Sequence, residues 1–104
     1  MADRNLDALL YPTFDHEPVS IPADIMTRTT TPEQRGNNRQ LSPLLGFPAL
    51  SVPAGFTTAG LPAGLELLGR PFSEGILFKA AYAYEQATHH RRPPTTTPAL
   101  PGEP

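Results

Sequence analysis

Few side chains in this 104-residue chain could attack or activate a bond. The serines are Ser20, Ser42, Ser51 and Ser73, and none lies in a Gly-x-Ser-x-Gly elbow, the tight turn that thrusts a hydroxyl out of a sheet. Lys79 is the single lysine. A serine–lysine pair would need it held beside a hydroxyl, yet it falls on a helical segment, away from that segment's apolar side, and reads as a solvated surface lysine. His16 stands between Asp15 and Glu17. On paper the trio could ligate a metal, but adjacent side chains of an extended loop diverge and no second histidine is near, so no metal site is assigned. His89, His90, Arg91 and Arg92 form a short basic patch. It reads as compensation of the negative end of the preceding helix, with anion binding as the alternative. No Gly-x-Gly-x-x-Gly or phosphate-loop pattern occurs, and Pro53-Ala54-Gly55 and Gly69-Arg70-Pro71 read as turns. No catalytic, cofactor-binding or metal-ligating residue is therefore assigned, and no cofactor is expected. One surface feature remains. Phe78 and Tyr82, one helical turn apart and off the apolar side, are the candidate contact surface.

The elements that must position these residues follow from periodicity and punctuation. Residues 6–12 read as a short strand stopped by Pro12, more apolar than alternating, as a strand covered on both faces would be. Residues 13–40 carry no usable periodicity and form a long irregular loop. In residues 41–56, Pro43, Pro48 and Pro53 recur every five residues, so no ordinary helix is expected. Residues 49–52 can form a strand between Pro48 and Pro53. Residues 57–60 form a turn, and residues 61–69 a second strand. Leu65 and Leu67 then point to one face, Glu66 and Leu68 to the other. The two strands make an antiparallel hairpin with a loop of four or five residues. Residues 73–89 are the clearest helix. Ser73 is a good N-cap, Glu74 suits the positive end of the dipole, and Pro93-Pro94 forbid continuation. Ile76, Leu77, Ala80, Ala81, Tyr84, Ala87 and Thr88 fall in an arc of about 140° that should face the sheet. Residues 93–104 are Pro-rich and read as a flexible tail.

Composition narrows the class. The chain has 14 Pro and 8 Gly but only 17% charged residues and a net charge of −2, which suits a small folded part with irregular segments. The absence of Cys excludes a disulfide framework and a thiolate nucleophile. A pI near 5.8 and 8 Lys+Arg argue against nucleic acid as a partner. No apolar run approaches a membrane span, the first residues lack the apolar stretch of a signal peptide, and a cytoplasmic setting is compatible.

Three stretches are specific in combination. Ser42-Pro-Leu-Leu-Gly-Phe-Pro-Ala-Leu-Ser-Val-Pro-Ala-Gly-Phe56, Gly60-Leu-Pro-Ala-Gly-Leu-Glu-Leu-Leu-Gly-Arg-Pro-Phe72 and the helix with Tyr82-Ala-Tyr-Glu-Gln-Ala-Thr88 resemble the C-terminal part of the amidase signature family. The opening Leu6-Asp-Ala-Leu-Leu-Tyr-Pro-Thr13 resembles the family strand that precedes them. The order matches, over roughly residues 6–93. The resemblance implies enzymes that hydrolyse amide bonds or move ammonia from them, with a serine nucleophile, a second serine in a cis peptide and a lysine base, on an α/β fold with a large mixed sheet. The 104 residues hold no adjacent serines and no lysine upstream of a serine, so none of those catalytic residues transfers to a position here.

The expected fold is α+β: a small mixed sheet of about three strands, one N-terminal strand plus a hairpin, covered by one main C-terminal helix, as a fragment of the amidase signature fold. Residues 1–92 form the domain, with the loop 13–40 inside it, and residues 93–104 the tail. The expected role is a C-terminal fragment or stand-alone module of an amide hydrolase, giving scaffold and pocket wall and inactive alone. The alternatives are a non-catalytic binding or self-associating module, or one half of a split amidase. The partners expected are the catalytic part of an amidase or a second copy of the chain, with neither nucleic acid nor membrane.

Overall fold

The computed structural model describes residues 1–18, 21, 23–24, 26 and 38–94. Three strands and two helices carry the fold among these residues: β1 (Ala8–Pro12), α1 (Leu41–Leu45), β2 (Ala49–Phe56), β3 (Pro62–Gly69) and α2 (Glu74–Thr88). The α+β expectation holds, with the N-terminal strand, the hairpin and the covering helix in their expected order.

The sheet order is β1-β3-β2, and both pairings are antiparallel. This corrects the expected mixed sheet. β1 and β2 do run in the same direction, but they flank β3 on opposite sides, so no parallel pair forms. The register pairs Leu10 with Leu67 and Tyr11 with Glu66 on one side of β3, and Leu50 with Leu67 and Ser51 with Glu66 on the other. Each central β3 residue thus has a neighbour on both flanks, and the alternation of side chains sorts them onto two faces.

On the first face, Val52 and Leu67 pack with Leu77 and Ala81 of α2, and Ala8, Leu50, Leu65 and Tyr84 close around them. Close approach of α2 requires Gly69. A Cβ there would collide with the Ser73 hydroxyl and lie 3.2 Å from both Leu77 methyls. The buried stripe of α2 is narrower than the expected arc: Leu77 and Ala81 are buried, whereas Ile76, Ala80 and Ala87 are exposed. α2 packs mainly over β2 and β3, so its flanks are left uncovered.

Three local expectations change. Residues 41–45 do form a short helix despite Pro43. Pro43 sits in its first turn, where backbone N–H groups have no intrahelical partner to lose, and Gly46 ends the turn at φ 66°. β2 runs through Pro53 to Phe56 because it is an edge strand, and a register shift between Pro53 and Gly55 absorbs the missing donor. Ser73 occupies the N-cap position of α2 but does not cap it; its hydroxyl donates to the Arg70 carbonyl at 2.7 Å. The hairpin loop is closed by Thr57 N–H to Leu61 O at 2.8 Å and Gly60 N–H to Thr57 O at 2.9 Å, with Gly60 at φ 79°. Most of the loop 13–40 after Pro18, and the tail from residue 95, lie outside the described residues.

Candidate functional site

The face of the sheet turned away from α2 is polar at its centre. Glu66 is only 6% exposed. A buried carboxylate is costly unless hydrogen bonds replace its water. Tyr11 Oη donates to Glu66 Oε1 at 2.7 Å, and Ser51 Oγ donates to Oε2 at a long 3.5 Å. Thr13 Oγ1 lies 3.3 Å from Ser51 Oγ, extending the chain of hydroxyls by one more group. The strand register creates this cluster, since Tyr11 and Ser51 are the two cross-strand partners of Glu66. Burial of the Tyr11 phenol, together with its hydrogen bond to Glu66 and the repulsion its anion would feel there, pushes its pKa up from 10.0 to about 12. The neutral phenol is thereby held as a donor. Gly64 leaves room for Thr13, whose Oγ1 would lie 3.0 Å from a Cβ at that position.

Thr13 and Ser51 of the hydroxyl chain also line a groove of about 450 Å³, together with Phe14, Pro62, His90, Arg91 and Arg92. A second cavity, about 400 Å³, adjoins it between Phe14, His16, Thr57 and Pro62. Here His16 Nδ1 lies 3.0 Å from the Glu17 carbonyl, so that nitrogen is the donor, and Nε2 lies 3.8 Å from Asp15 Oδ1. The Asp15–His16–Glu17 trio thus engages itself, and no metal-holding cluster of His, Cys, Asp or Glu occurs among the described residues.

The basic patch ends α2 as expected and does more besides. His89 takes a left-handed φ of 50° and caps the helix through its N–H to the Glu85 carbonyl. The chain then turns along the end of β2. The His90 ring lies 6.1 Å from the Tyr84 ring, and the Arg92 guanidinium sits 5.0 Å above the Phe56 ring. Phe78 and Tyr82 are 62% and 65% exposed, and they border a separate groove beside Leu50, Val52 and Pro53 of β2. Lys79 is exposed, as the sequence implied. The Glu66 cluster was not anticipated. Its signal was a lone carboxylate inside the apolar run of β3, where an unpaired charge is rarely tolerated.

Comparison with known proteins decides the family. The sequence profile of the Amidase family matches residues 1–78. The chain belongs to the amidase family. Its curated relatives include one subunit of the glutamyl-tRNA(Gln) amidotransferase of Desulforudis audaxviator, 54% identical over 56 residues, covering 53% of this chain and 11% of that protein. Its counterpart from Moorella thermoacetica is 60% identical over 52 residues, covering 49% of this chain and 10% of that protein. Among solved structures, the native peptide amidase of Stenotrophomonas maltophilia superposes with a TM-score of 0.67 and 41% identity, over 89% of this chain and 17% of its own. An amidase family protein from Bacillus anthracis gives 0.63 and 32%, over 90% of this chain and 14% of its own. The chain therefore spans about a tenth of the curated relatives it matches. No helix among the described residues is long and apolar enough to cross a membrane.

Proposed function

We propose that the chain serves as the sheet-and-helix end piece of an amide-bond hydrolase, supplying scaffold and pocket wall to chemistry carried by other parts of the enzyme. The observation that carries this reading is the balance of apolar surface. The buried apolar residues among those described are Val52, Leu67, Leu68, Leu77 and Ala81, whereas Leu10, Leu44, Leu45, Phe72, Ile76 and Phe78 are all exposed. Such a balance suits a unit that completes its core against further structure. Its length relative to the relatives it matches points the same way. Family chemistry needs a serine pair and a lysine base, and here the serines are never adjacent and Lys79 stands on the outer side of α2. The chain alone is accordingly expected to be inactive.

A complementation assay tests this. A family amidase from which the matching segment has been deleted is mixed with this chain, and ammonia release from simple amides is followed. Neither part alone should hydrolyse, and the mixture should. If the isolated chain hydrolyses amides and Ser51→Ala abolishes it, the reading is wrong.

A second reading, self-association, is favoured by one specific feature. Phe78 and Tyr82 flank the unpaired edge of β2, and residues 49–52 before the bulge offer free backbone groups there. Light scattering across concentrations separates a dimer from a monomer.

A further inference from the structure

We propose that the groove between Phe14 and the post-helical residues His90, Arg91 and Arg92 binds a small organic carboxylate with an aromatic or branched apolar body. The inference goes beyond the amidase reading and concerns the chain as it stands here.

Three observations carry it. The first is charge. Among the described residues, the lining includes His90, Arg91 and Arg92 and no carboxylate residue. Among the described residues, neither arginine takes part in an ion pair. Compensation of the α2 dipole does not use up this charge. The helix end carries about half a negative charge, part of which the His89 N–H already engages, against two full positive charges on the arginines. The surplus faces the groove.

The second is preorganisation. The Arg92 guanidinium carbon lies over the Phe56 ring, 5.0 Å from its centre, a cation–π contact that leaves its N–H donors without a carboxylate partner among the described residues. His90 is held between Tyr84 and Gly55, where Gly55 sits at φ 125° in the bulge. His90 and Arg92 thus each rest against an aromatic ring before any ligand arrives, which lowers the ordering cost of binding.

The third is polarity along the groove. The lining also includes the apolar Phe14, Pro62 and Ala63 and the hydroxyl-bearing Thr13 and Ser51, with a Glu66 carboxylate oxygen 3.5 Å from the Ser51 hydroxyl. An anion placed at the Ser51 end would face Glu66 across one hydroxyl. The negative head must therefore lie at the arginine end and the apolar body toward Phe14. About 450 Å³ suits a molecule of that size. A bare phosphate would fill the charged end and leave the apolar wall wet.

The test is titration of the full chain, followed by backbone amide resonances at low salt, with phenylacetate as probe and acetate, phenethyl alcohol and inorganic phosphate as comparators. Phenylacetate should give saturable shifts centred on Gly55, Phe56, His90 and Arg92. Acetate, the alcohol and phosphate should each bind about tenfold more weakly or worse. Exchanging both arginines (Arg91→Gln with Arg92→Gln) should weaken phenylacetate by about tenfold while circular dichroism stays unchanged, and Arg92→Lys should lose about threefold. Absence of saturable shifts, equal binding of the alcohol or of phosphate, or parental affinity in the double variant would each overturn the proposal.

Discussion

The two faces of this sheet are held by opposite means. Toward α2, Leu67, Val52, Leu77 and Ala81 meet in an apolar contact that needs no directional partner. Away from α2, Glu66 is buried even more deeply than Leu67, and it is held by the hydroxyls of Tyr11 and Ser51. The same strand, β3, supplies both. Both depend on register, because a one-residue slip of β1 or β2 would carry Leu10, Leu50 and Val52 off the apolar face as well as Tyr11 and Ser51 off the polar one. They differ in what a substitution removes: on the apolar face it is buried area, and on the polar face it is a directional partner of a buried carboxylate.

The comparison breaks most visibly at Leu77, the most deeply buried large side chain described. Leu77→Ala should cost about 2–5 kcal/mol, the range for large-to-small changes in a packed core. In a fold with so few buried apolar residues, urea denaturation should show the chain largely unfolded. A loss under about 1 kcal/mol would mean that the helix face contributes little, contrary to the division of roles.

The polar face should respond by chemistry rather than volume. Glu66→Leu leaves the Tyr11 and Ser51 hydroxyls without their acceptor, at about 1–3 kcal/mol. Glu66→Gln keeps a carbonyl for Tyr11 and should lose clearly less. If the two variants fall equally, the hydrogen bonds to Glu66 are not what holds this face. Amide exchange should further show that Glu66→Leu loosens β1, whose Tyr11 spans to β3, more than β2.

Tyr11 gives a smaller effect with a pH signature. Its phenol ionises at about 12 in the folded chain against 10.0 ordinarily. The folded state therefore binds this proton more tightly than the unfolded chain does. The associated stability is complete below pH 10 and is lost as pH rises through about 12. Tyr11→Phe should cost about 0.5–1.5 kcal/mol at neutral pH. The gap between parent and variant should close between pH 10 and 12. A gap that is constant across that window would break the link between Tyr11 and Glu66.

How much of this was legible in the sequence follows the same division. The apolar face was, because a period of 3.6 in residues 74–88 and alternation in residues 62–69 are local patterns. The proline and glycine punctuation marked β1, the hairpin and the end of α2. The polar face was not. Tyr11 lies 55 residues from Glu66 and Ser51 lies 15 away, and only the register brings them together. The direction of pairing escaped for the same reason, since nothing local shows that β1 docks on β3 rather than beside β2. The short helix at residues 41–45 was hidden by Pro43, a breaker in general but harmless in a first turn. The exposure of Phe78 and Tyr82 was legible, because the helical period alone places them off the packed stripe.

That exposed pair gives the smallest effect on the fold and the sharpest contrast with both faces. Phe78 and Tyr82 are 62% and 65% exposed, so Phe78→Ser with Tyr82→Ser removes little buried area from the monomer. Unfolding stability should change by less than about 0.5 kcal/mol per site, the ordinary range for surface substitutions. Docking is where the change should register. If the groove beside Leu50 and Pro53 receives further structure, the pair would be covered only in the assembly, and its loss should abolish either complementation or self-association while leaving denaturation nearly unmoved. The two assays then separate the readings: loss of complementation alone assigns the surface to an amidase partner, and loss of the dimer alone assigns it to a second copy. A variant that unfolds as readily as Leu77→Ala would show instead that these rings belong to the apolar face after all.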